Sequence, residues 1–129
     1  MPKTAYEEFD GQVDLISDHR RALEEDLIAK SPIYGRMVEQ ISETYGEGQQ
    51  DGGLDQTTRI LLALGMAVHS GSKSSVEWTV TRAINHGASP QQIQDTIDIA
   101  LLNGGTFAVA AARFAHQAAE TRFRRPRHS

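Results

Sequence analysis

One stretch constrains this chain more than any other: from Ile60 to Val68 every residue is apolar or glycine. The run is far shorter than the roughly 18 apolar residues a membrane span needs. A helix that is apolar all round has to be covered all round, so the stretch reads as the central helix of a bundle. Asp55 is the expected N-cap in front of it, and His69-Ser70-Gly71-Ser72-Lys73 breaks it.

No segment alternates apolar and polar residues over six positions, so strands are not expected. Helical spacing recurs instead. Phe9, Val13, Ile16, Leu23 and Leu27 form one amphipathic stripe, interrupted only by Arg20. Ser31-Pro32 and Ser89-Pro90 each join an N-cap serine to a proline at the first helical position. Ile33, Met37, Val38, Ile41 and Tyr45 give the second helix its apolar face. Ser74-x-x-Glu77 reads as a capping box, with Glu77 as the capping acid. Val76, Val80, Ala83 and Ile84 then face the core, and Gly87 closes that helix. Ile93, Ile97, Ala100 and Leu101 continue the core stripe, widened by Ile99 and Leu102. The last helix, about Thr106 to Phe123, is alanine-rich and suits close helix approach within or between subunits. Gly46 to Gly53 holds four glycines and is the best hinge candidate. The expected fold is an all-α bundle of about six helices.

At 129 residues the chain is about one domain. Its 39% hydrophobic and 23% charged residues are a globular composition. It has no cysteine, which excludes disulfides, thiolate metal sites and cysteine nucleophiles. The net charge of −4 gives no general pull toward nucleic acid, and no nucleic-acid-binding motif appears. No apolar leader is visible in MPKTAYEEFD, so a cytoplasmic protein with no membrane partner is expected. Charge is uneven: residues 1–53 carry −7 and residues 54–129 carry +3. A fold-back within one chain, or a contact between subunits, could use that asymmetry. The five histidines form no ligand pair, so no metal and no cofactor are expected.

Several residues in order carry a resemblance. They are Leu54-Asp-x-x-Thr58-Arg59, the apolar helix to Val68, Gly71, Arg82-Ala83-x-x-x-Gly87-Ala88-Ser89, Ile93, Asp95, Ile97, Gly104-Gly105 and the alanine-rich last helix. Over about residues 32–120 the chain resembles the carboxymuconolactone decarboxylase family, which includes the alkylhydroperoxidase D-like proteins. The resemblance implies an alkylhydroperoxidase D-like bundle assembled as a symmetric homo-oligomer, a trimer or hexamer. The chain then divides into an acidic N-terminal helix (1–30), the family domain (31–121) and a basic tail (122–129) expected to be disordered.

Redox members of that family use a glutamate, a Cys-x-x-Cys pair and a histidine. By the resemblance these positions fall on Ile60, Ser72, Ser75 and Thr79. A serine hydroxyl is barely ionised near neutral pH and forms no disulfide, so thiol peroxidase activity is not expected. The expected function is non-redox action, of lyase or decarboxylase type, on a small organic acid or lactone. The alternative is a non-catalytic oligomeric binding or scaffold protein that kept the fold. The expected pocket lies at the Gly71 turn. His69 is its acid/base candidate, and Arg59, Ser72, Ser75, Trp78 and Thr79 are its substrate-binding candidates. Arg82 reads mainly as a structural ion-pair residue, His116 as a surface or interface residue, His86 as a helix cap and His19 as exposed.

Overall fold

The computed structural model describes residues 4–46 and 52–127, so most of the Gly46–Gly53 hinge candidate lies outside the described residues. Within them the chain is all-helical. The six expected helices are α2 (Asp10–Lys30), α3 (Pro32–Thr44), α4 (Gln56–Ser70), α5 (Lys73–Asn85), α6 (Pro90–Gly104) and α7 (Val109–Arg124). A four-residue helix, α1 (Ala5–Glu8), precedes them, and a 3₁₀ turn (Gly105–Ala108) joins α6 to α7.

The helix starts follow the side chains that satisfy free backbone N–H groups. Ser31, Asp55 and Ser89 cap α3, α4 and α6 as expected. At α5 the cap is Ser72, whose oxygen accepts from Ser75 N. The Ser74–Glu77 capping box is therefore not formed. Glu77 is instead buried in the bundle, where its carboxylate has cationic partners described below. Gly71 ends α4 in the left-handed conformation, with φ of 79°, where a side chain would be strained.

The core is built by α4, α5, α6 and α7, with α5 on α7 and α4 between α5 and α6. Ile60 and Leu64 are fully buried, each stabilising the fold by about 1.5–3 kcal/mol. Ala111, Ala112, Ala115, Ala118 and Ala119 are buried inside the chain, so the alanines of α7 serve close approach within the subunit. Residues Pro90–Arg124 are apolar enough to cross a membrane by composition and length. They form a packed helix pair with a break at Gly105, not one straight span.

Two expectations change. The central helix α4 is covered on one side only: Ile60, Leu64, Ala67 and Val68 are buried, while Leu62 and Met66 are exposed. Among the described residues α4 packs chiefly on α5, α6 and α7. The arginine segment is not a loose tail. Helix α7 runs to Arg124, and Arg122 is 1% exposed. The reason is charge pairing with α2: Arg124 donates to Asp10, Arg125 to Asp14, and Arg127 to Asp14 and Asp18. The charge asymmetry of the sequence is used as a fold-back within one chain.

Candidate functional site

A buried ion network lies behind the site. Glu77 Oε1 accepts from Arg122 Nη2 (3.3 Å) and from the Thr81 hydroxyl (3.1 Å). Its Oε2 accepts from Arg20 Nε (3.4 Å) and Nη2 (3.2 Å). Arg122 also donates to Asp14 at 3.0 Å. A buried carboxylate is tolerated because both of its oxygens are bonded to cations. Arg20 then reaches outward, donating to Glu24 Oε2 at 3.2 Å. Glu24 Oε1 accepts from the Tyr34 hydroxyl at 3.3 Å. Partial burial and the neighbouring Glu24 push the Tyr34 hydroxyl above its ordinary pKa, so it stays protonated as a donor.

Arg20, Glu24 and Tyr34 open into a cavity of about 560 Å³ between α2, α3, α4 and α5. Its floor carries Ser74, Ser75, Trp78, Thr79 and Arg82 from α5, and Ala63, Met66, Ala67 and Ser70 from α4. Its cover is α3, with Met37, Val38, Ile41 and Ser42, and then Tyr45. Trp78 meets Tyr45 edge-to-face at 6.0 Å between ring centroids. The Arg82 guanidinium lies over the Trp78 ring, 5.1 Å from its centroid. Among the described residues the buried Arg82 Nε has no hydrogen-bond partner. A guanidinium lining a cavity beside an aromatic wall is an arrangement that takes an anion.

The expected site residues are divided among four places. Ser75, Trp78 and Thr79 do line this cavity. Ser72 caps α5 and donates its hydroxyl to Ser75 Oγ at 3.1 Å. The Thr79 hydroxyl is directed at the backbone, 2.7 Å from Ser75 O. Among the described residues no histidine or carboxylate bonds to either serine, so neither is an activated nucleophile. His69 lines a second, apolar groove of about 540 Å³ between α4 and α6, with Leu62, Met66, Ile99 and Asn103. It packs on Gly104, where an added Cβ would come within 3.2 Å of the imidazole. Met66 and Ser70 form the wall between groove and cavity. Arg59 is in neither. It donates to Leu54 O (2.9 Å) and Thr44 O (3.0 Å), joining the end of α3 to the start of α4.

Among the other histidines, His19 is exposed and His86 caps α5, with Nδ1 2.8 Å from Arg82 O. His116 stacks edge-to-face with Tyr6. Among the described residues no three His, Asp or Glu side chains cluster to hold a metal. Sequence reasoning missed Arg20, Glu24, Tyr34 and Tyr45 as cavity residues. The one visible signal was the charge of Arg20 inside an apolar stripe.

The sequence model of the carboxymuconolactone decarboxylase family matches residues 36–118. The chain belongs to that family. A carboxymuconolactone decarboxylase family protein of Legionella pneumophila has the same fold, with a TM-score of 0.75 at 17% identity over 84% of this chain and 95% of that one. A protein of Thermotoga maritima superposes in one crystal structure with a TM-score of 0.72 at 25% identity, over 81% of this chain and 90% of that one. In a second structure, described as a carboxymuconolactone decarboxylase family protein, the TM-score is 0.71 at 26% identity, over 81% of this chain and 86% of that one. No curated protein matches. The carboxymuconolactone decarboxylase family match includes the cavity floor and most of α3. It leaves out α2, which brings Arg20 and Glu24, and the arginines that hold α2 in place.

Proposed function

We propose that this protein is a non-redox member of the family that binds a small organic acid or lactone in the α3–α5 cavity. The observation that carries the reading is Arg82: a guanidinium on the Trp78 face that lines the cavity and, among the described residues, makes no side-chain hydrogen bond or ion pair. A carboxylate there gains a charge-assisted hydrogen bond of about 1.5–3 kcal/mol. The absence of cysteine removes thiol chemistry. For lyase or decarboxylase-type chemistry the proton-transfer pair is Tyr34 and Glu24, already hydrogen-bonded to each other in the cavity.

A thermal-shift screen against small organic acids and lactones tests this, with Arg82→Gln and His69→Ala alongside the wild type. A ligand at about 100 times its Kd adds roughly 2.7 kcal/mol. The reading expects a hit that Arg82→Gln loses and His69→Ala keeps. A hit lost only in His69→Ala moves the site to the α4–α6 groove. Once a substrate is found, Tyr34→Phe is expected to lower turnover while binding persists.

A second reading, an oligomeric scaffold that kept the fold without chemistry, is favoured by a different observation. The outer face of α4 and α6, with Leu62, Met66, Ile99 and Leu102, is exposed. Such a patch suits contact with further copies of the chain. Silence across the whole panel, in a protein shown to be a folded oligomer, would favour that reading.

A further inference from the structure

We infer that α3 is a cover that closes on a ring-bearing monocarboxylate held in the α3–α5 cavity; this rests on the cavity reading above. An amphipathic helix is normally stabilised by packing its apolar face, and an isolated helix of this length is marginal in water. Met37, Val38 and Ile41 all face the cavity, yet α3 has no buried residue. Met37 is 51% exposed. The main helical neighbour of α3 is α2.

Its fixings lie near its ends, and besides the Tyr45–Trp78 ring contact they are hydrogen bonds. Near the start, the Tyr34 hydroxyl bonds Glu24. At the far end, Arg59 holds Thr44 O and Gln56 Nε2 holds Tyr45 O at 2.9 Å. The helix is thus anchored near its ends and spans the cavity between them. An apolar body in the cavity would complete the packing of Met37, which is exposed, and of Val38 and Ile41, which the fold only half buries.

The walls also select the charge of the ligand. Trp78, Tyr45, Met37 and Ile41 offer apolar and aromatic surface to a ring. Arg82 offers one cationic fork. Arg20 is already engaged by Glu24 and Glu77, so it offers no second carboxylate site. Glu24 adds a negative charge that opposes a second carboxylate in the same space.

The test uses benzoate and phthalate as probes, and Trp78 as the reporter, since it is the only tryptophan. Benzoate is expected to change Trp78 fluorescence saturably and to slow amide hydrogen exchange across residues 32–44 by about tenfold or more. Phthalate is expected to bind at least about tenfold more weakly than benzoate. Ile41→Ser is expected to weaken benzoate binding by about tenfold with Tm little changed, because α3 contributes no buried residue to the core. Saturable binding that Arg82→Gln abolishes, with exchange across 32–44 unaltered, overturns the cover and leaves the cavity site standing. Equal affinity for phthalate overturns the monocarboxylate class. No saturable response to either acid overturns this inference together with the cavity reading.

Discussion

Glu77 joins three helices through one carboxylate. It is 0% exposed and binds Arg20 from α2 and Arg122 from α7. Removing one member of a buried ion network leaves uncompensated charge, at a cost of about 3–5 kcal/mol. Glu77→Gln is therefore expected to lower Tm on the order of 10 °C, measured by calorimetry against the wild type. The capping assignment has its own check. Ser72→Ala should cost about 1 kcal/mol and Ser74→Ala almost nothing, read from denaturant midpoints, because Ser72 is the cap. At this scale the sequence was only partly legible. Ser-Pro starts and Asp55 act locally, within three residues, so their roles could be read from spacing alone. Glu77 could not be read so, since its partners are 57 residues before it and 45 after it. A local capping pattern was the nearest available meaning for a glutamate whose real role is long-range. Arg82 was similarly opaque, because its place on the Trp78 face of a cavity is a property of its surroundings.

At the scale of elements, the fold depends on how α2 is fastened to the end of α7. Hydrogen bonding from Arg124 holds the Asp10 carboxyl down to about 2, against some opposing desolvation. At Asp14 desolvation pushes upward, but hydrogen bonds from Arg122 and Arg125 outweigh it and the pKa is lowered. Carboxylates lowered in the folded state add stability that is fully present above the unfolded value of 3.8 and is lost as pH falls through the folded value of about 2. Urea midpoints should therefore be level above about pH 5 and fall between about pH 4 and 2. Arg124→Ala should flatten that fall. The outer pairs of Arg125 and Arg127 are partly exposed and should weaken with salt. Charge asymmetry along the chain made a fold-back conceivable. Whether it joined two ends of one chain or two subunits could not be read from composition, because net charge carries no geometry. All six long helices were legible, since each is an amphipathic period with a cap, a glycine or a proline at its ends. The division of the expected site was not, because helical spacing does not say on which side of α4 His69 falls.

At the scale of the whole molecule, an apolar surface remains that a lone bundle does not cover. Leu102 is 87% exposed and Phe107 is 89% exposed, and Ile99, Leu62 and Met66 on α6 and α4 are exposed as well. The apolar run that pointed to a fully covered helix is covered on one side within the chain, and self-association would cover the other. Sedimentation should then give a multiple of the 14.2 kDa chain mass. Leu102→Lys should shift it toward the single chain without loss of helicity. The α3–α5 cavity, however, is formed within one chain, so its chemistry can be tested directly. The decisive measurement is a calorimetric titration of benzoate into wild type, Arg82→Gln and His69→Ala. Wild type and His69→Ala are expected to bind alike, and Arg82→Gln to bind at least about tenfold more weakly, as the loss of one charge-assisted hydrogen bond requires. Binding that survives Arg82→Gln unchanged, or that disappears in His69→Ala, would contradict the assignment of the α3–α5 cavity as the acid-binding site.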